Sequence, residues 1–551
     1  MHIGVLFPMD TVEIGFDNLQ QIWGRAVANH GFLQALAGLA APGAGLRLTV
    51  FVPTRPDVQR LRETLLPGSR FTASIVALVD IASFLQTDPI DVMHVPSPAM
   101  ATAAHIRNFL SPKSFVITGI THSLGNQQFL EWALENNANG ITAGDCLICT
   151  TPTAQAVVDS AFAQLRASQP DFQTPSTAVI PLGISREAPG EKQGGKTAVT
   201  RQQLGLKDND FVVLSFGRFN HQFKMDALPV LNLAALLKAR SKRPLRLLLA
   251  GSADNGAYAA LVQEQAQVTG LGDTVRVMPD ISEAEKPGLF RAADVFLSLS
   301  DNIQETFGLT VVEALAAGLP VVASDWNGYK SLVEHGVTGF LVPTKTLTAR
   351  PEWEALLICQ PDALSHMFSA QTTAIDLRVA CDVLARLAED RELAQRMGKA
   401  ALASAGQYDW SVVISRYAGL WAQLREAEIK RNGTPARDVR RSSGLRLLAD
   451  FSAYPTSGLS ANDRFVTSTL GRQVIEQKRR MYLYAYMEPV LDLPLLSQLL
   501  RLFLAEQSLG EVLSALLNSA LEGPLSNDAF RVGQNVLWLY KYGLIELSSR
   551  P

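Results

Sequence analysis

Short apolar runs alternate along most of the chain with stretches in which apolar residues recur every three or four positions. The runs have the length of single buried strands, and the stretches between them have the period of amphipathic helices. In the first part of the chain we predict strands at 2–7, 47–52, 92–95, 115–120, 146–150 and, ending in a turn, 178–184. Strands that alternate with helices predict a parallel sheet covered by helices, which is an α/β domain.

A second array of the same kind begins after a polar, glycine-rich stretch at 185–198, which we interpret as a linker. Its predicted strands are 211–216, 245–250, 274–278, 295–299, 320–323 and 340–342. We therefore predict two Rossmann-like domains, 1–184 and 199–408, that face each other across a cleft. Residues 344–375 fit the alternating pattern poorly, and we interpret them as an insertion.

The chain changes character after the second array. Helical spacing over 377–405 is followed by a predicted helix at 409–430, which we expect to pack back toward the first domain. A polar stretch at 431–455 is a second predicted linker. Residues 456–551 carry leucines at helical spacing, and their end, a helix stopped at Gly543 before a short strand, resembles a winged-helix module. We predict a mainly helical accessory domain that binds a protein partner or a second copy of the chain.

Composition narrows the class of protein. With 551 residues, of which 47% are hydrophobic and 18% charged, the chain can bury several large cores. A net charge of −3 provides no broad attraction for nucleic acid, and no apolar run reaches the eighteen residues typical of a membrane span. Four cysteines and a short apolar start predict a cytoplasmic protein, free or peripheral at the inner face of a membrane. Cys146 and Cys149 stand on a predicted strand and are interpreted as buried core.

Candidate chemistry is concentrated in the loop and helix that follow the predicted strand at 295–299. Ligands of parallel sheets bind beyond the carboxyl ends of the strands. Here the chain offers two carboxylates, Glu305 on the loop and Glu313 inside the helix, eight positions apart. Between them the backbone N–H groups of 307–309 are predicted to be free at a helix N-terminus, which favours anions. Carboxylates for sugar hydroxyls beside amides for phosphate indicate a sugar nucleotide.

A second candidate loop follows the first strand of the second array and contains Gly217, Arg218 and Lys224. An arginine and a lysine can hold a diphosphate, arginine as a bidentate fork and lysine as a point charge. Taken alone, two such cations on a single loop are usually solvated surface residues. We favour a site because this loop is expected at the same sheet edge as Glu305.

Four motifs in sequence order carry a resemblance to a known family: Gly217-Arg218 with Lys224, Glu305-x7-Glu313, GLPVVAS at 318–324 and GVTGFLV at 336–342. Together they resemble the retaining glycosyltransferases of family four. The resemblance implies the GT-B fold, in which two Rossmann-like domains face a cleft and the second holds most of the nucleotide-sugar donor. It covers about residues 1–425 and is strongest over 211–343.

The resemblance also implies roles for single residues. Arg218 and Lys224 would hold the donor diphosphate, Glu305 would contact the transferred sugar, and Glu313 would take the ribose hydroxyls. His122 stands where the family often has a histidine that faces the cleft. The residues expected to bind donor are Gly217, Arg218, Lys224, Glu305, Thr306, Phe307, Gly308, Leu309, Thr310 and Glu313; those expected to be catalytic are Glu305, His122, Arg218 and Lys224. No metal or other cofactor is expected, because fixed cations and amides can stabilise the leaving group.

Three departures from the family pattern affect the interpretation. The spacing from Arg218 to Lys224 is one residue longer than usual. Asn327-Gly328 and Ser331 replace the usual glycine pair and following glutamate. The glycine-rich loop after the first strand is absent, and 12–25 stand in its place. The acceptor, whether glycan, lipid or protein, is therefore open.

Two alternative functions share the predicted fold. A sugar-nucleotide epimerase or hydrolase would turn over donor without an acceptor. An inactive relative would act as a scaffold or partner subunit, which the four charged candidates disfavour. A dehydrogenase is disfavoured because no Gly-x-Gly-x-x-Gly motif is present. Residues 190–197, GEKQGGKT, match Gly-x4-Gly-Lys-Ser/Thr, but they lie in the predicted linker and not between a predicted strand and helix, which disfavours an NTPase.

Overall fold

The protein divides into two compact units, Met1–Ser443 and Gly444–Pro551. The structure is a computed structural model, and it describes residues 1–7, 24–40, 45–65, 74–185, 201–253, 256–282, 285–431, 450, 452–481, 483–484, 487, 491–517 and 525–548. The loop predicted at 12–25 and the linkers predicted at 185–198 and 431–455 lie largely outside these ranges.

Seven parallel strands form the first sheet: β1 (His2–Leu6), β2 (Arg47–Val52), β3 (Ser74–Ala77), β4 (Val92–Val95), β5 (Val116–Ile120), β6 (Cys146–Cys149) and β7 (Ser176–Val179). Their order is β3-β2-β1-β4-β5-β6-β7. The helices are α1 (Gly24–Leu39), α2 (Arg55–Leu65), α3 (Ile81–Thr87), α4 (Ala101–Phe109), α5 (Gln128–Ala138) and α6 (Pro152–Ser168). The apolar pattern did not predict β3, because it is a short edge strand with only Ala77 fully buried. β7 ends at Val179, earlier than predicted.

Six parallel strands form the second sheet: β8 (Phe211–Phe216), β9 (Leu245–Gly251), β10 (Val275–Pro279), β11 (Val295–Ser298), β12 (Val321–Ser324) and β13 (Gly339–Val342). Their order is β10-β9-β8-β11-β12-β13. The helices between them are α7 (Leu228–Arg240), α8 (Ala257–Val268), α9 (Lys286–Ala292), α10 (Leu309–Ala316) and α11 (Tyr329–Leu332). The order reverses between β8 and β11, so the loops after these two strands meet at the switch point where such sheets bind ligands.

The predicted insertion is a small substructure of its own. Two short antiparallel strands, β14 (Thr344–Lys345) and β15 (Ala374–Ile375), form its base. Between them lie α12 (Pro351–Ile358), which has no buried residue, and α13 (Asp362–Gln371), in which His366 and Ala370 are buried.

The helical run predicted at 377–405 is two helices, α14 (Leu377–Glu389) and α15 (Arg391–Ser404). Asp390 interrupts the run, and its side chain caps α15 by accepting a hydrogen bond from the backbone N–H of Leu393 at 2.8 Å. Apolar residues at helical spacing stand on both sides of this break, and so the pattern did not show it. The capping aspartate was the available signal.

The helix predicted at 409–430 is α16 (Trp410–Arg431), and it packs on the first sheet. Trp421 is fully buried there and donates from Nε1 to the hydroxyl of Thr118 on β5 at 3.1 Å. Trp410 fits against two glycines, since a Cβ atom on Gly31 or Gly183 would lie 2.4 or 2.3 Å from its ring. The first domain is therefore completed by a helix from much later in the chain.

The second unit is a mainly helical module with one small sheet. Its strands β16 (Arg464–Thr467), β17 (Gln507–Ser508) and β18 (Ile545–Leu547) form an antiparallel sheet in the order β17-β16-β18. Its helices are α17 (Thr469–Ile475), α18 (Leu493–Leu502), α19 (Leu509–Leu517) and α20 (Leu525–Lys541). The core between them includes Phe465, Leu499, Phe503 and Val536. No helix in the described part of the chain is both long and apolar enough to cross a membrane.

Candidate active site

The loops after β8 and β11 bring an oppositely charged pair together at the switch point of the second sheet. We name residues 217–224 the lysine loop and residues 301–308 the glutamate loop. The ammonium of Lys224 donates to Oε2 of Glu305, with 21% of the lysine side chain and 12% of the glutamate side chain exposed. Burial alone would lower the pKa of Lys224, but the carboxylate of Glu305 outweighs burial and raises the pKa above its usual value. The charge of Arg218 also acts on the pKa of Lys224, so the two predicted cations lie close together.

Close backbone contact shapes the lysine loop. A Cβ atom on Gly251 at the end of β9 would lie 1.8 Å from the carbonyl oxygen of Gly217, and Gly251 has a φ of 149°. A Cβ atom on Gly217 would lie 3.3 Å from Cε of Lys224. Glycine at both positions therefore lets the end of β8 turn directly beneath the lysine side chain.

Tyr329 lies behind the ion pair. Its side chain is fully buried, and its hydroxyl is 2.8 Å from that of Ser298. Burial is the main cause that raises the pKa of Tyr329 to about 12, and the charges of Lys224 and Glu305 also act on this pKa. The ring also explains Gly308, because a Cβ atom there would lie 2.4 Å from Cε1 of Tyr329. Nothing in the local sequence marks Tyr329 as a support of the pair.

The N-terminus of α10 follows the glutamate loop, as predicted. Gly308 is its N-cap, with a φ of 111°, and its carbonyl accepts from the amides of Val311 and Val312. The hydroxyl of Thr310 is buried and has no hydrogen-bond partner within the described residues. One expectation was wrong: the amide of Phe307 is not free, because it donates to Oε1 of Glu305 at 3.3 Å. The predicted anion site therefore depends on the next amides, those of Leu309 and Thr310.

Glu313 also has a cationic partner, which sequence reasoning missed. Nζ of Lys286, the first residue of α9, lies 2.7 Å from Oε1 of Glu313. The same ammonium lies 5.2 Å from the ring centroid of Phe216 at the end of β8. Lys286 is 27 positions from Glu313, and no motif connects them. The sequence indicated only that Lys286 follows β10 and therefore lies at the same sheet edge as Glu313.

His122 lies in a first-domain loop that contacts the glutamate loop. We name residues 121–127 the histidine loop. The hydroxyl of Thr306 donates to the carbonyl oxygen of His122, and the hydroxyl of Thr151 donates to the carbonyl oxygen of Thr306 at 3.0 Å. His94 on β4 is fully buried, and its pKa is lowered to about 3, first by burial and second by the charge of His122. The structure thus brings His122 to the same cleft as Glu305, with contact through the backbone.

A further carboxyl group lies at the start of the glutamate loop. Asp301 is 7% exposed, and its Oδ1 has no hydrogen-bond partner within the described residues. Burial, with a smaller contribution from the charge of Asp226, raises the pKa of Asp301 to about 7. Sequence reasoning did not select Asp301, because its burial depends on the whole sheet edge.

Other candidate chemistry is structural. Cys146 and Cys149 are buried in β6 as unpaired thiols, and burial raises their pKa values to about 11 and about 12. This agrees with their interpretation as core. Within the described ranges no three His, Cys, Asp or Glu side chains are grouped so that they could hold a metal ion.

Residues 197–351 match the sequence model of the family described as glycosyl transferases group 1. The second domain is a group 1 glycosyltransferase domain. The match includes both loops of the switch point, so the Lys224–Glu305 pair lies inside the part of the chain that defines the family.

Two curated relatives show how far the likeness extends. A D-inositol 3-phosphate glycosyltransferase of Thermobispora bispora is 27% identical over 332 residues, which are 59% of this chain and 64% of that protein. An alpha-monoglucosyldiacylglycerol synthase of Streptococcus pneumoniae is 34% identical over 194 residues, which are 35% of this chain and 42% of that protein. The chain thus spans less than two thirds of the length of either relative.

A solved structure shares the architecture. The sucrose-phosphate synthase of Thermosynechococcus elongatus aligns with a TM-score of 0.50 and 19% sequence identity, over 78% of this chain and all of that one. At this identity the likeness concerns the fold alone. The predicted GT-B arrangement of two Rossmann-like domains, followed by a mainly helical C-terminal region, is confirmed.

Proposed function

We propose that this protein is a retaining glycosyltransferase that moves a sugar from a nucleoside-diphosphate donor to an acceptor hydroxyl. The observation that carries the proposal is the Lys224–Glu305 pair at the switch point, inside a group 1 glycosyltransferase domain. Arg218 lies close enough to act on Lys224, and the N-terminus of α10 begins three residues after Glu305. These are the groups that a sugar diphosphate requires.

The leaving group explains the cations. When the bond between the sugar C1 and the phosphate oxygen breaks, its electron pair stays on the diphosphate, whose negative charge increases. Lys224 and Arg218, together with the amides at the start of α10, would stabilise that charge. Because the site is largely shielded from water, each fixed donor is expected to contribute about 2–4 kcal/mol to lowering the barrier.

The ion pair satisfies both charges of this largely buried site. A buried lysine without a counter-charge is costly, and Glu305 supplies that counter-charge to Lys224. We propose that the phosphate takes over this role and that Glu305 then accepts hydrogen bonds from hydroxyls of the transferred sugar. The amide of Phe307 would keep the carboxylate in place during this exchange.

The same reasoning applies at the nucleoside end. Glu313 is paired with Lys286 and lies one helical turn into α10. We propose that it accepts hydrogen bonds from both ribose hydroxyls, while Lys286 keeps the carboxylate oriented. The names of the two relatives differ, one giving an inositol phosphate and the other a glucosyldiacylglycerol as product, and so the proposal specifies only the class of donor.

The test combines binding with product analysis. A thermal-shift screen of UDP-, GDP-, ADP- and TDP-sugars should raise the Tm for one base, since a ligand that binds only folded protein stabilises it. Glu305→Gln should retain the nucleoside diphosphate and lose transfer. The anomeric coupling constant of the product, measured by proton NMR, should show the configuration of the donor.

Other results would decide against transfer. Donor turnover with no acceptor present would indicate an epimerase or a hydrolase. If no nucleotide sugar shifts the Tm, the chain acts as a scaffold, which was the third interpretation of the sequence.

A further inference from the structure

Helix α13 of the insertion reaches the place where three loops meet. His366 on this helix is 2% exposed, whereas no residue of the neighbouring α12 is buried. Its burial therefore depends on residues outside the insertion.

The imidazole of His366 contacts all three loops. Its Nδ1 lies 3.2 Å from Oδ1 of Asn302 in the glutamate loop. Its Nε2 lies 2.6 Å from the carbonyl oxygen of Gly125 in the histidine loop. Its ring meets that of Phe223 in the lysine loop edge to face, with 5.2 Å between centroids. A single side chain thus touches both loops of the Lys224–Glu305 pair and the first-domain loop opposite them.

Asn302 makes this contact rigid. The side chain is fully buried, donates from Nδ2 to the carbonyl oxygen of Gln222 at 2.6 Å and accepts at Oδ1 from the amide of Gln304 at 2.9 Å. The backbone carbonyl oxygen of Asn302 accepts a hydrogen bond from Nε1 of Trp326 at 3.1 Å. Asn302 therefore joins the lysine and glutamate loops, and His366 connects this junction to the first domain.

Gly125 shows how closely the first domain approaches. A Cβ atom there would lie 2.9 Å from Cε1 of His366 and 3.1 Å from Cγ1 of Ile303. The φ of Gly125 lies outside the left-handed region, so its backbone does not require glycine. Glycine is needed at this position for space. The histidine loop, the glutamate loop and α13 are packed into direct contact here.

We propose that His366 is a positioning residue that holds the histidine loop against the glutamate loop and so sets how closely the two domains approach. The inference rests on the proposed function and deepens it, because the histidine and glutamate loops carry His122 and Glu305. Asn302 of the glutamate loop also holds the backbone of the lysine loop in place. The approach of the domains can nevertheless be measured without any donor. Failure of the proposed chemistry and failure of this inference are therefore distinguishable.

The experiment measures the distance between the two domains by spin labelling. Nitroxides are placed at Glu131→Cys on α5 and Ala235→Cys on α7, both exposed, in a Cys359→Ser background. The remaining three cysteines are buried and do not take up label. His366→Phe keeps a ring beside Phe223 and removes both polar contacts. The matched control is His335→Phe, since His335 is an exposed histidine of the same domain whose ring also meets a phenylalanine, Phe340, edge to face.

The expected result for His366→Phe is a new population at longer distance, with the ratio of close to separated molecules changed roughly tenfold by the loss of the hydrogen bond to the carbonyl oxygen of Gly125. The control His335→Phe should give the distribution of the unsubstituted protein. A folded His366→Phe variant with an unchanged distribution would overturn the proposal.

A second variant tests the same contact from the first domain with His366 intact. Gly125→Ala places a methyl group against His366 and Ile303, and should separate the domains in the same direction. Gly38→Ala on α1 is its control, because a Cβ atom there meets nothing within 4 Å. If Gly125→Ala leaves the distances unchanged, the proposal is wrong even where His366→Phe fails to fold.

Discussion

The two Rossmann-like domains have the same strand order around their switch points and present different chemistry there. In the second domain the loops at the carboxyl edge of the sheet bring Lys224, Arg218 and Glu305 together. In the first domain the corresponding edge holds His122 and buried hydroxyl groups such as Thr121 and Thr150. The difference shows that strand order provides the place for a site, while loop side chains decide what binds.

The contrast has an energetic reason. Largely buried charges are costly unless paired, and a lysine and a glutamate could be replaced by apolar residues with no loss of stability. Their presence at the second edge therefore indicates binding of a charged ligand. The hydroxyl groups and His122 at the first edge suit an uncharged reacting group. We expect the second domain to hold the anionic part of the donor and the first to act on the bond being made.

The largest expected effect follows from removal of the cation. Lys224→Ala should lower kcat/KM for transfer by about 10²–10³-fold, because one fixed donor to the leaving phosphate is lost. Steady-state kinetics with the donor found by thermal shift measure this. Lys330→Ala is the control, since Lys330 lies next to Tyr329 in the sequence but its side chain is 52% exposed. Equal losses in both variants would contradict the assignment.

A smaller effect is expected at the nucleoside end. Glu313→Gln should raise the KM for donor about tenfold and leave kcat within about twofold, as expected when one charge-assisted hydrogen bond that does not change during reaction is weakened. Glu334→Gln, at an exposed position of the same domain, is the control. A donor that lacks the ribose hydroxyls should show the same defect with the unsubstituted protein. A fall in kcat with unchanged KM would place Glu313 at the reacting bond instead.

The first edge gives the sharpest test of the comparison. His122→Ala should lower kcat about tenfold, which corresponds to about 1.4 kcal/mol, and leave the Kd of the nucleoside diphosphate unchanged. The contact with Thr306 uses the backbone carbonyl of His122, so it survives the substitution. Isothermal titration and kinetics separate the two effects, with exposed His105→Ala as control. If His122→Ala weakens diphosphate binding, the two sheet edges do not have separate roles in donor binding and bond formation.

The smallest effect concerns stability. The pKa of Asp301 is raised to about 7 in the folded protein from an ordinary value of 3.8, mainly by burial. Its ionised form therefore favours unfolding, and stability is lost as pH rises between these two values. Asp301→Asn should be more stable than the unsubstituted protein above pH 7, by on the order of a few kcal/mol, and equal to it near pH 4. Chemical denaturation at both pH values measures this, and a difference independent of pH would contradict it.

Much of the fold was predictable because apolar runs and helical periods are local signals. The strands of the second sheet begin and end within one residue of the predicted positions, since each is a buried apolar run between polar breaks. The edge strand Ser74–Ala77 was not predicted, because a half-exposed four-residue strand has no such contrast. The break at Asp390 was missed because apolar residues resume at helical spacing directly after it, at Leu393 and Met397.

The site was predictable only where a motif carried it. Lys224 and Glu305 were placed together because parallel strands bring their following loops to one edge. Lys286 and His366 were missed, since their partners lie 27 and 64 positions away and nothing in the local sequence encodes such contacts. The free amide expected at Phe307 was wrong because a glutamate two residues earlier could fold back onto it.

The return of Trp410–Arg431 to the first sheet has a practical consequence for dividing the gene. Tyr417 and Trp421 of this helix fill the space beside Phe32 and His94, which a polypeptide ending at residue 185 would expose to water. Expressed alone, that fragment should aggregate, because buried aromatic surface would become an unpartnered apolar patch. Co-expression with a peptide of residues 410–431 should restore its solubility. A shortened enzyme should therefore end after residue 431, since the first domain is assembled from two separate parts of the chain.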